Sequence, residues 1–241
     1  MSSRIYGEFL QPDSAALMKL GAKYPYNMKR GYIWLFITPC FMHASFMHIF
    51  GNTIATLIFG MSFETTVGVL RVMAIYLLSG IGGNLFSALI TDDLSVGAST
   101  CIMGLLGGQL AFLILNWDAL RHLGFLRCQM LCLISIIILM ILLMGFANST
   151  IDNFGHFGGF LVGFLSSFAL LTPMEGAGVE ERLKKFNVCL LILYFVIGFI
   201  LFYTVRHPAQ IIILNGEDSY NRENNDNNST NTDNSNKLLL F

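Results

Sequence analysis

The sequence predicts an all-α fold, a polytopic transmembrane helix bundle with about six spans, on three observations. Only 12% of the 241 residues are charged and 54% are hydrophobic, with 21 Phe and 12 Met; a soluble domain carries about a quarter charged residues. The charges cluster in short stretches between long apolar runs. Each run approaches the ~20 residues that a helix needs to cross ~30 Å of hydrocarbon. A net charge of −1 offers no basic field to nucleic acid, so the partner implied by composition is the lipid bilayer.

The opening MSSRIYGEFLQPDS has no apolar core after its basic residue, so no signal peptide is expected. Residues 1–42 read as a membrane-surface loop segment, because the aromatic stretch YPYNMKRGYIWLFITPCF is too short to span and contains Pro39. Tyr24, Tyr26, Tyr32 and Trp34 suit the headgroup level. Six spans follow at about 44–62, 69–90, 98–116, 125–146, 154–172 and 186–205, so residues 43–205 form the transmembrane core. From Arg206 the chain is Asn-rich and low in complexity, and 206–241 are expected to be disordered. Asn227 and Asn228 head glycosylation sequons there, whereas the sequon at Asn148 lies too near the bilayer to be modified. Cys40, Cys101, Cys128, Cys132 and Cys189 have no metal-ligand spacing and read as small buried hydrophobes.

Lys and Arg set the orientation. The loops at 91–97 and 147–153 carry none, while Arg71, Arg121, Arg127, Arg182, Lys184 and Lys185 lie on the other side. That basic side is expected to be cytosolic, although Lys19, Lys23, Lys29 and Arg30 precede the first span on the outer side.

Polar groups inside spans are costly and usually functional, and here they gather at one membrane face. Alternate spans run parallel, so the first, third and fifth begin on the same side. His43, His48 and Asn52 lie at the start of the first, Gly97-Ala98-Ser99 at the start of the third, and Gly155-His156 at the start of the fifth. His48 and Asn52, four apart, share a helix face; His43 points elsewhere and is expected to be structural. Ser99 at a helix N-terminus has free N–H groups and the positive dipole end beside it, a setting that suits a developing oxyanion. His156 can serve as its general base if the third and fifth spans touch. Gly104 and Gly108 on one, and Gly159 and Gly163 on the other, give four-residue small stripes that let backbones approach.

Several classes are excluded. There is no His-Glu-x-x-His helix for a zinc protease, no mid-span carboxylate for an aspartyl protease or proton transporter, and no Gly-rich phosphate loop. A small-solute transporter lacks span charges and broken-helix pairs. The residues leave serine chemistry or no chemistry.

Three ordered motifs resemble the rhomboid family of intramembrane serine proteases. FMHASFMHIFGNT, with His43, His48 and Asn52 at spacings of five and four, looks like its signature; GASTCIMGLLGG resembles its serine motif and DNFGHFGGFLVGF its histidine motif. FETTVGVLRVMAIYLLSGIGGNL reads like the loop and helix between them, and the resemblance runs from about Leu20 to Thr172. It implies a rhomboid-like fold that cleaves transmembrane segments of membrane proteins without cofactor or metal. By the same resemblance, Ser99 attacks the scissile peptide and His156 takes and returns its proton. His48, Asn52 and the Ser99 N–H form the oxyanion hole, His43 braces the first loop, and Gly97, Gly104 and Gly159 are structural near the site. The 186–205 span is similar to the added last helix of the eukaryotic secretory-pathway subgroup, which implies the secretory pathway or plasma membrane rather than the mitochondrion. The alternative is a catalytically inactive rhomboid-like pseudoprotease that binds membrane-protein clients.

This chain departs from the family pattern at four places. Thr100 stands where glycine usually follows the serine, and its branched side chain is expected to crowd the site. Met103 stands where Tyr or Phe is common, and Trp34-Leu35 replaces a Trp-Arg pair. Residues 1–19 cannot supply the helix that precedes the first loop in the family, so the expectation is a truncated chain or a variant without that helix.

Overall fold

A computed structural model describes residues 12–147, 151–174 and 178–205. The Asn-rich tail and the sequons at Asn148, Asn227 and Asn228 lie outside the described residues. Two short helices open the described chain, α1 (Ser14–Leu20) and α2 (Pro25–Lys29), followed by 3-10 turns at Ile33–Phe36 and Thr38–Phe41. Six longer helices follow: α3 (Phe46–Val67), α4 (Val69–Ile90), α5 (Ser99–Leu115), α6 (Gly124–Ala147), α7 (Asn153–Leu170) and α8 (Gly178–Thr204). Among the described residues the remaining regular pairing is one antiparallel bridge, Lys23 with Ser95.

Each expected span therefore corresponds to a helix, with two boundaries to correct. The first continues past residue 62 to Val67 because Ser62, Thr65 and Thr66 satisfy their hydroxyls on carbonyls of their own helix. The last begins at Gly178 rather than 186, since Glu, Arg, Leu and Lys in VEERLKK are good helix formers outside lipid as well as in it. Length and apolarity allow Phe46–Val67, Val69–Ile90, Ala119–Ile141 and Arg182–Thr204 to cross a membrane. That makes four by this measure, against the six expected. Helix α5, at 17 residues, is shorter, and α7 is also outside that set; these two carry Ser99 and His156 and the glycine pairs Gly104/Gly108 and Gly159/Gly163. The chain is an integral membrane protein.

Local chemistry explains the starts and stops. Ser45 caps α3 by accepting a hydrogen bond from His48 N at 3.2 Å. Gly68 alone separates α3 from α4, and its φ of +92° makes that reversal available without Cβ strain. Asp152 caps α7, accepting from Gly155 N at 2.8 Å.

The inner layer is α4, α5 and α7. Cys101, Leu105, Leu106 and Ala111 of α5, Ile75 and Leu85 of α4 and Val162 of α7 are fully buried. Helix α5 meets α7 through backbone: a Cβ at Gly163 would strike the Gly104 backbone, and one at Gly159 would strike the Thr100 carbonyl. Gly108 faces Ser167 of α7 and Phe63 of α3. The first segment packs on this layer, with Met28, Leu35 and Phe36 clustered around Leu85, Ala88 and Phe202. Within it, Tyr32 and Trp34 are exposed and stack with ring centroids 5.0 Å apart, while Tyr24 and Tyr26 are half-buried.

Cysteines divide in a way that composition does not show. Cys40 and Cys101 are buried, whereas Cys128, Cys132 and Cys189 are exposed. The expectation of five buried hydrophobes is right for two, because α6 and α8 present those cysteines on outward faces. All five are free thiols.

Candidate active site

Three helix starts converge. Ser99 opens α5, His156 lies one turn into α7, and His48 and Asn52 lie in the first turns of α3. The glycine-mediated contact of α5 with α7 brings Ser99 Oγ to 2.8 Å from His156 Nε2, within reach of direct proton transfer. Ser99 is half-buried and His156 is 5% exposed. His156 Nδ1 is buried and has no hydrogen-bond partner among the described residues.

The loop before Ser99 is shaped by Gly97, whose φ is +134°. A Cβ there would also lie 2.8 Å from His48 Nε2 and 3.5 Å from Asn52 Nδ2. Glycine is thus required twice, once for the backbone and once for the space that His48 and Asn52 line. Asn52 Nδ2 is a buried donor with no partner among the described residues. An unpaired buried amide costs about 1–3 kcal/mol, a cost that an anion formed beside Ser99 can relieve. The Gly97 N–H donates to the Pro39 carbonyl at 2.9 Å, holding the loop to the first segment. That segment is held in turn by Asn84 Nδ2, which donates to the Phe36 carbonyl at 2.9 Å.

His43 makes no hydrogen bond from either ring nitrogen among the described residues. It packs edge-on against His48 with centroids 5.2 Å apart. Burial, and then the neighbouring His48 charge, hold the His43 imidazole below the ordinary histidine value. Its ring contact is therefore with His48, a candidate oxyanion residue.

Thr100 does not crowd the site. It is 5% exposed, and its Cγ2 occupies the space that a Cβ on Gly83 of α4 would need. The side chain points inward to α4 and α7 because residue 100 lies about 100° around the helix from residue 99. Met103 is likewise buried. Leu35, at the position of the family's arginine, is buried in the cluster around Phe36.

One group escaped the sequence reading. Lys23 is completely buried and its Nζ lies 2.8 Å from Asp152 Oδ2. It also donates to Ser87 Oγ by a short hydrogen bond. Ser87 Oγ lies 2.7 Å from both Asp152 oxygens, and Ser95 Oγ donates to Oδ2 at 2.8 Å. Burial alone would raise the Asp152 carboxyl. The Lys23 charge, with hydrogen bonds from Lys23, Ser87 and the Gly155 N–H, outweighs burial and brings it to about 2. The sequence signal was present but unweighted: a lysine with no acidic neighbour in sequence, and an aspartate four residues before His156.

Comparisons with known proteins agree with this architecture. Residues 30–173, well over half the chain, match the Rhomboid domain. The chain is 40% identical over 159 residues to Rhomboid-like protease 1 of Toxoplasma gondii, covering 64% of this chain and 53% of that protein. It is 38% identical over 177 residues to RHOMBOID-like protein 5 of Arabidopsis thaliana, covering 72% and 55%. It is 36% identical over 199 residues to "RHOMBOID-like protein 6, mitochondrial" of the same plant, covering 78% and 63%. The chain thus spans little more than half the length of the first two relatives. With the domain match, the identities and the helical bundle in agreement, this chain belongs to the rhomboid family.

Proposed function

We propose that the protein is an intramembrane serine endopeptidase that cleaves transmembrane segments of membrane proteins with a Ser99–His156 dyad. The observation that carries this reading is the 2.8 Å contact between Ser99 Oγ and His156 Nε2. His156 Nε2 accepts the Ser99 proton as Oγ attacks the scissile carbonyl. Negative charge then develops on the carbonyl oxygen beside the start of α5, where the Ser99 N–H, Asn52 Nδ2 and His48 are the available donors. His156 returns the proton to the leaving amine, and water, activated by the same imidazole, releases the acyl group. Each of these steps is carried by side chains and backbone of this chain. A scissile peptide must leave its helix before a serine can reach it, so substrates carry helix-breaking residues near the cut; the resemblance to the family implies small residues at the cut itself.

For the rival reading, a pseudoprotease that only binds clients, Thr100 beside the serine counts for less, because its side chain is directed toward Gly83 of α4. The relatives bear on location as well. One is named as mitochondrial, while α8, following the histidine helix, supports the secretory pathway or plasma membrane.

Purified protein in liposomes is expected to cleave a helix-destabilised transmembrane substrate, and Ser99→Ala or His156→Ala to abolish cleavage. Equal background from wild type and Ser99→Ala would reject the enzyme. Labelling by a fluorophosphonate checks the same point, since it should require Ser99.

A further inference from the structure

A dyad needs two helices held in register to a fraction of an ångström, and the structure shows what ties their ends together. Ser95 lies four residues before Ser99, and Asp152 lies four residues before His156. Lys23 is joined to both. Its N–H donates to the Ser95 carbonyl at 2.9 Å, and its carbonyl accepts from Ser95 N at 3.1 Å. Its side chain is ion-paired to Asp152. Asp152 in turn holds the histidine directly: its carbonyl accepts from His156 N at 3.0 Å, and its carboxylate accepts from Gly155 N. Ser87 of α4 and the Ser95 hydroxyl complete the carboxylate's shell. One buried side chain therefore spans from the serine loop to the histidine helix.

We infer that Lys23 and Asp152 are positioning residues, whose buried ion pair sets the separation of Ser99 and His156. The inference rests on the serine protease reading above. Its physical basis is that buried ion pairs are poor sources of net stability, since desolvation offsets attraction. What this one supplies is direction: the carboxylate has donors on both oxygens, and the lysine is pinned at its backbone and at its tip. The need for such a tie is local. Gly97 lies between Ser95 and Ser99, and its N–H bond to the Pro39 carbonyl holds the serine loop to the first segment but not to α7; the Lys23–Asp152 pair joins that loop to the histidine helix.

The test compares Lys23→Met, Asp152→Asn and the double variant as full-length protein in detergent. Thermal unfolding, the rate of Ser99 labelling by a fluorophosphonate, and kcat and KM for a transmembrane substrate are measured. Each single variant leaves a buried charge or an unpaired partner and should lose both stability and rate. The double variant leaves no charge behind, and the asparagine introduced by Asp152→Asn still caps α7, so its unfolding temperature should recover. Its labelling rate and kcat should stay about 10-fold to 100-fold below wild type, the scale of an ångström's misplacement, with KM unchanged. Recovery of rate together with stability would show the pair to be structural only and overturn the inference. Ser95→Ala keeps both charges and should slow labelling about threefold by loosening the same tie; a wild-type rate there also counts against it. Wild-type protein that is not labelled at all defeats the serine protease reading, and this inference falls with it. Labelled wild type with unaffected variants defeats the inference alone.

Discussion

Helices α5 and α6 are adjacent in sequence and almost equally apolar, yet they occupy opposite environments. Of α5, residues Thr100–Gly108 are buried without interruption, whereas almost none of the apolar stretch within Ala119–Ile141, most of it in α6, is buried within the protein. Phe125, Leu126, Leu133, Ile136, Leu139, Met140 and Leu143 all face outward. The difference is glycine. In lipid an apolar side chain gains little by moving from acyl chains into protein, so helices associate where small residues let backbones close. Gly104, Gly107 and Gly108 give α5 that surface, and Gly159 and Gly163 give it to α7; α6 has a Leu/Ile surface that lipid solvates as well as any partner. The candidate site follows the same division, since the residues that converge lie on or beside the glycine-packed pair.

That contrast can be broken deliberately. The largest effect is expected from Gly163→Leu, because a side chain there meets the Gly104 backbone and must force α5 and α7 apart. Proteolysis should fall at least about 100-fold. The parallel change Leu139→Ala on α6 should move thermal stability by no more than about 0.5 kcal/mol. Comparable losses from the two would refute the glycine account. Next, Asn52→Ala removes a donor that has no other partner among the described residues, and kcat should drop about 10²-fold to 10³-fold with little change in KM; an unchanged kcat would take Asn52 out of the oxyanion site.

Acid provides a graded test. Asp152 titrates near 2 in the folded protein against an ordinary 3.8, so the unfolded chain binds its proton first as pH falls. The stability it contributes is complete above about pH 4 and is lost progressively toward pH 2, on the order of 2 kcal/mol. Unfolding measured across that window in wild type and Asp152→Asn should show the loss only in wild type. Among the variants at or beside the candidate site, the smallest effect is expected at Thr100. Because its methyl fills space against Gly83, Thr100→Gly should cost about 1–2 kcal/mol in stability and should not raise turnover. A faster enzyme would restore the idea that this side chain obstructs the site.

How much of this was legible beforehand can be seen residue by residue. The nearness of Ser99, His156, His48 and Asn52 to one another was readable because each stands at the start of an apolar run, and alternate runs must begin on one face of a membrane. The glycine spacing on the third and fifth spans was readable because four-residue periodicity is a local property. Thr100 was misjudged: adjacency to a nucleophile in sequence places it on another side of the helix. The exposed Cys128, Cys132 and Cys189 were misplaced because apolarity cannot separate a lipid-facing surface from a protein core.

By itself, then, the sequence determined the membrane class, the order of the helices and the common face on which the polar residues lie, since these depend on composition and short periodicities. Tertiary structure alone decided that Lys23 and Asp152, 129 residues apart, share one buried network, and that Ser99 and His156 stand 2.8 Å apart. Those are relations between separate segments. They arise from how closely glycine lets backbones approach and from where a buried charge can find its partner, and neither is encoded in any single stretch of chain.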